Sequence, residues 1–147
     1  MTLPPLPLDA IEIGAIAADW RAAVRVAGDG LVRSGAATAE YANEMIRMIE
    51  EHGPYVVIAP GLALAHARPG PSVLADGLAI VSLAKPVNFG HPHNDPVRVV
   101  LALAILAADE HLAAVAALAN VFNDSSAIDD LASASSAAEV QRIMRVS

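Results

Sequence analysis

Five histidines, His52, His66, His91, His93 and His111, are the side chains of this chain that titrate near neutrality without help from their surroundings. There is no cysteine. Disulfides, thiol catalysis and thiolate metal sites are therefore excluded, and the imidazoles become the leading nucleophile candidates. His66 stands in Ile58-Ala59-Pro60-Gly61-Leu62-Ala63-Leu64-Ala65-His66-Ala67-Arg68-Pro69. A strand, a Pro-Gly turn and a short apolar run deliver it to the start of a loop at a sheet edge. Arg68 follows two residues later, and Pro69 stiffens the loop. A neutral imidazole nitrogen can attack phosphorus, and a neighbouring guanidinium can offset charge on the phosphoryl oxygens. The competing reading is a partly buried histidine hydrogen-bonded to backbone.

His111 lies in Asp109-Glu110-His111, inside the first turn of an expected helix. Free N–H groups at such a position favour an anion. A surface histidine held by its two acidic neighbours is the alternative. If the strand before this helix lies beside the strand leading to His66, both histidines emerge at one end of the sheet. One would then be the nucleophile and the other a donor to the phosphoryl oxygens, since phosphoryl transfer depends mainly on positioning and charge compensation. His91 and His93 alternate in Gly90-His91-Pro92-His93-Asn94-Asp95. Alternate histidines can bind a metal, but only Asp95 offers a third ligand nearby, so a polar loop is the plainer reading. Asp95 and Arg98 flank Pro96 and are expected to form a structural ion pair. His52 ends a helix, where a cation is favourable.

These residues need elements to position them. Alternating β-branched residues predict a first strand over Ile11 to Ala17. Asp19 is positioned to cap a helix from Trp20, with Gly28 and Gly30 weakening its end. Thr38 is positioned to cap a second helix reaching about His52, stopped by Gly53-Pro54. Strands are expected over Tyr55 to Ala59, Leu62 to Leu64, Leu78 to Ala84 (ended by Lys85-Pro86) and Val97 to Ile105. Asp109 should cap a third helix to about Phe122, and a short helix should cover Ser126 to Ala132. Ser136-Ala137-Ala138-Glu139 reads as a capping box opening a last helix to about Arg145. Most of the strands are apolar on both faces, which implies a central sheet covered by helices. The expected fold is α/β, a three-layer α/β/α sandwich around a mixed sheet.

The chain has 147 residues, suiting one domain over residues 1–147. Hydrophobic residues are 55% and aromatics only 3%, so Ala, Val, Leu and Ile must build the core. The net charge of −7 argues against a nucleic-acid binder. The Pro-rich start, Met1 to Asp9, reads as an irregular lead-in without the basic flank and apolar run of a signal peptide. The longest apolar run, Val99 to Ala108, is about half of what a membrane-spanning helix needs. A cytoplasmic location is expected, with any membrane association made through a partner. No cofactor is expected.

The stretch Gly53 to Pro69 resembles the active-site segment of the mannitol/fructose-type (type 2) enzyme IIA family of the phosphotransferase system. It is closest to the ascorbate-type branch, in which His-Ala-Arg-Pro follows an Ala-Pro-Gly turn. Two further segments agree in order and spacing: Pro86-Val87-Asn88-Phe89-Gly90 with Asn94-Asp95-Pro96-Val97-Arg98-Val99-Val100, and Asp109-Glu110-His111-Leu112. The resemblance implies a phosphoryl carrier. His66 matches the phosphorylated histidine and His111 the histidine that supports the phosphoryl group. The donor would be phosphorylated HPr, the acceptor a cysteine of enzyme IIB, and the solute would be moved by a membrane enzyme IIC. The family usually has Pro directly before the active histidine, where this chain has Ala65. The arginine that assists in mannitol-type members has Arg47 as its nearest counterpart, and Arg68 is the candidate substitute. A regulatory module of the same fold, whose phosphorylation switches partner binding, is the alternative role. A metal-binding or structural protein using His91 and His93 is a third. An Ala-rich helix face is compatible with a homodimer.

Overall fold

In a computed structural model, which describes residues 3–147, five strands and five helices follow the order β1 (Ile11–Ala15), α1 (Trp20–Arg33), α2 (Glu40–His52), β2 (Val57–Ala59), β3 (Leu62–His66), β4 (Gly77–Val87), β5 (Val97–Ala104), α3 (Ala108–Val121), α4 (Ser126–Ser133) and α5 (Ala137–Met144). Of the expected irregular lead-in, Met1 and Thr2 lie outside the described residues. Leu6 is fully buried, and the Pro5 carbonyl accepts from Leu78 N–H at 3.0 Å, so the lead-in packs along β4.

The sheet order is β1-β4-β5-β3-β2. β1 runs parallel to β4 and β3 parallel to β5, while β4–β5 and β3–β2 are antiparallel. The sheet is therefore mixed, as expected. The central strands β4 and β5 are buried along most of their length on both faces. Helices supply that cover: α1 lies on β4 and β5, and α4 packs against the same two strands. Burial of these Val, Leu and Ala side chains stabilises the fold by about 25 cal/mol per Å² of apolar surface removed from water.

The differences from expectation have local causes. Gly28 and Gly30 do not end α1 but sit buried inside it. A Cβ on Gly28 would stand 2.9 Å from the Ala42 Cβ of α2, and one on Gly30 would stand 3.0 Å from Ala79 of β4. Glycine there lets the helix approach its neighbours. β4 continues through Lys85-Pro86 to Val87. Its pairing is irregular between Ser82↔Val99 and Val87↔Val97, so five steps along β4 oppose two along β5. The missing N–H of Pro86 falls in this bulge, where no ladder bond is required. β2 starts at Val57 rather than Tyr55, because Pro54 to Val56 turn, with Val57 N–H bonding the Pro54 carbonyl at 3.1 Å.

Of the expected caps, Asp19 accepts from Ala22 N–H at 2.8 Å and Ser136 accepts from Glu139 N–H at 3.1 Å. Glu139 returns to Ser135 rather than Ser136, so the box is shifted by one residue. Thr38 and Asp109 do not cap: the N-cap positions are Ala39 and Ala107, without side-chain bonds. The Thr38 backbone N–H bonds the Ser72 carbonyl at 2.9 Å.

Candidate active site

β3 and β5 are parallel and paired from Leu62↔Val99 to His66↔Leu103. Their C-terminal ends therefore leave the sheet side by side. His66 is the last residue of β3, and β5 leads through Ile105 to Ala107 into α3, whose first turn carries His111. The topology brings the two histidines together, with ring centroids 5.3 Å apart and planes tilted by 52°.

The His66 ring has a defined orientation. Its Nδ1 lies 3.0 Å from the Leu64 carbonyl oxygen. A carbonyl can only accept, so Nδ1 carries the hydrogen and Nε2 keeps its lone pair. Tyr55 meets the same ring edge-on at 5.8 Å, and His52 meets Tyr55 edge-on at 6.2 Å. Burial pushes His66 below the ordinary histidine value, although the Leu64 hydrogen bond pulls the other way. His111 is also lowered, first by burial and then by the nearby His66. Both effects disfavour the charged imidazole. Its Nε2 is buried and has no hydrogen-bond partner among the described residues.

An open groove of about 430 Å³ lies over the pair, lined by Met48, His52, Tyr55, His66, Ala67, Arg68 and His111. Arg68 is exposed and makes no salt bridge among the described residues. Arg47 lines an adjoining groove that shares Met48, His52, Ala67 and Arg68 with this one, and pairs with Glu40 at 3.1 Å. Tyr55, which lines the groove, and Leu106 and Leu112, which flank the start of α3 in sequence, expose 41%, 55% and 74% of their surface.

His91 and His93 belong to the β4–β5 loop, at the opposite end of β5 from Leu103. His91 Nδ1 accepts from His93 N–H at 3.1 Å and Asn94 N–H at 3.0 Å. The expected Asp95–Arg98 ion pair is not formed. Asp95 instead accepts from the N–H groups of Phe89, Gly90 and His91, and Arg98 pairs with Asp129 of α4. Three backbone donors converging on one carboxylate hold it more firmly than one exposed guanidinium. Tyr55, Met48 and the placement of His52 beside the pair escaped the sequence reading. Their signal was faint: a Tyr just after a Gly-Pro stop, and a Met on an apolar stripe.

The fold and site define an α/β domain that holds a neutral histidine at a strand end, in an open groove beside a second histidine. The family model for the phosphoenolpyruvate-dependent sugar phosphotransferase system, EIIA 2, matches residues 5–146, and this chain belongs to that family, whose components are phosphotransferases. The ascorbate-specific PTS system EIIA component of Shigella boydii is 37% identical over 122 residues, which are 82% of this chain and 79% of that protein. The crystal structure of IIA mannitol from Escherichia coli superimposes with a TM-score of 0.82 at 28% identity, covering 94% of this chain and 97% of its own. The complex of enzyme IIAMTL with phosphorylated enzyme IIBMTL from Escherichia coli gives 0.82 at 27% identity, covering 95% of this chain and 98% of its own.

Proposed function

We propose that this chain carries a phosphoryl group on His66 Nε2, taking it from phosphorylated HPr and passing it to an enzyme IIB cysteine. The observation that carries this reading is the pairing of the two histidines: a lone-pair nitrogen on His66, with His111 beside it offering an unpartnered Nε2. In the forward step the donor P–N bond breaks, the leaving nitrogen keeps its electron pair, and a new bond forms from phosphorus to His66 Nε2. Nδ1–H stays on the Leu64 carbonyl while positive charge develops on the ring. His111 Nε2 supplies the hydrogen bond to a phosphoryl oxygen, and Arg68 turns inward to offset the added negative charge. The exposed apolar surface of Tyr55, Leu106 and Leu112 suits docking of a protein partner. The mannitol-type complex, in which such a domain meets a phosphorylated enzyme IIB, supports that acceptor. The ascorbate-specific relative supports an ascorbate-type transport system. Its partners keep the chain on the cytoplasmic side, and no helix among the described residues is long and apolar enough to cross a membrane.

The test is incubation with enzyme I, HPr and phosphoenolpyruvate, followed by intact mass. An acid-labile gain of one phosphoryl group is expected in the wild type, absent in His66→Ala and slowed in His111→Ala. No gain from an HPr shown to be active would overturn the reading.

A further inference from the structure

We propose that the hydroxyl of Tyr41 is a positioning group that sets the separation and orientation of the two active-site histidines; this rests on the phosphohistidine reading above. Tyr41 lies on α2, is 1% exposed, and reaches across to the point where β3 and β5 leave the sheet. Its oxygen accepts from Ala67 N–H at 3.0 Å and lies 2.6 Å from the Leu103 carbonyl. A hydroxyl has one hydrogen, and the shorter contact takes it, so Tyr41 donates to Leu103. The Ala67 carbonyl, at 3.3 Å, is the longer alternative.

These partners are the residues that matter for the site. Ala67 directly follows His66. Leu103 is the register partner of His66 and the last paired residue of β5 on this side. The parallel ladder ends at His66↔Leu103, and just beyond it the hydroxyl stands between an N–H of one strand and a C=O of the other. One oxygen atom thus holds both exits apart by its own width. One exit carries the nucleophile, and the other leads within a few residues to the turn bearing His111. A direct backbone bond between Ala67 and Leu103 would draw the strands together and turn the Ala67-Arg68 segment inward.

The hydroxyl is also kept in its donor form. Burial raises the Tyr41 pKa to about 12, although the bond from Ala67 lowers it. The group therefore stays neutral at any pH at which the protein works. Phenylalanine would keep the packing and lose only the bridge, leaving two buried backbone groups unpaired.

Tyr41→Phe in the full chain tests this with two readouts. The first uses unphosphorylated protein and nitrogen NMR of the imidazoles. The wild type should show His66 as the Nδ1–H form with a slowly exchanging proton on the Leu64 bond; the variant should show that proton exchanging fast and both ring signals displaced. The second is phosphoryl acceptance from phosphorylated HPr: the maximal rate should fall roughly ten- to a hundredfold with KM for HPr unchanged. Val140→Ala, a core truncation in α5, controls for lost stability and should leave both readouts as in the wild type. Unchanged imidazole signals and rate in Tyr41→Phe, or an equal loss in Val140→Ala, would overturn the proposal. If the wild type accepts no phosphoryl group at all, the functional reading fails, while the NMR arm still decides whether Tyr41 orients His66.

Discussion

An imidazole attacks phosphorus only while its lone pair is free, and the surroundings of His66 keep it so. Burial lowers its pKa below 6.5, and the Leu64 carbonyl fixes the hydrogen on Nδ1. Phosphoryl acceptance should therefore be flat through neutral pH and fall only as the pH drops below 6.5, a profile read from initial rates. The same shift has a consequence for stability. As pH falls through 6.5 the unfolded chain binds protons at His66 and His111 before the folded chain does, so stability present above 6.5 is lost on acidification. Urea melts at neutral and mildly acid pH should show a smaller acid loss in His66→Ala than in the wild type. An equal loss in both would remove His66 as its source. The proposed role of Arg68 belongs to this scale too. Its guanidinium lines the groove without a salt bridge among the described residues. Arg68→Ala should slow acceptance by roughly tenfold or more, the worth of one charge-assisted hydrogen bond, with no change in melting temperature. An unaltered rate would exclude it from the site.

Among the elements, the five helices and the mixed sheet were readable because each rests on a local signal: apolar runs for β3, β4 and β5, helical spacing for α1 and α2, and Gly53-Pro54 for the end of α2. What was not readable depends on neighbours. The continuation of β4 past Pro86 requires a bulge that only pairing with β5 creates. The persistence of α1 through Gly28 and Gly30 requires Ala42 and Ala79 close by. The joining of His66 to His111 needed the parallel β3–β5 register, while Tyr55, His52 and Tyr41 reach the site through folding alone. Caps mark the boundary most sharply, because Asp19 and Thr38 look alike in sequence. Asp19 bonds Ala22 N–H, whereas Thr38 makes no cap bond. Asp19→Ala should cost about 1 kcal/mol and lower the melting temperature by a few degrees. Thr38→Ala should stay within about 0.5 kcal/mol. Equal losses by calorimetry would contradict this assignment of caps.

Across the whole molecule, the sheet separates two kinds of histidine. The parallel strands β3 and β5 deliver His66 and His111 to one end. The β4–β5 loop holds His91 and His93 at the other, where Asn94 ties it to the β2–β3 turn: its carbonyl accepts from Gly61 N–H at 2.9 Å and its side chain donates to the Val57 carbonyl at 3.1 Å. The length of a strand lies between the two groups, and no ionisable network spans it among the described residues. His91→Ala and His93→Ala should therefore leave phosphoryl acceptance within about twofold of the wild type, since neither can touch the groove. Stability should tell the two apart. His91 Nδ1 accepts two backbone N–H groups, so its loss should cost about 1 kcal/mol. His93 is exposed; its backbone N–H, which alanine keeps, bonds His91, and its ring meets that of His91 edge-on at 6.2 Å, so its replacement should cost little. A slowed transfer in His91→Ala at full stability would mean that the loop reaches the chemistry through a partner protein, and the division of labour between the two ends would have to be abandoned.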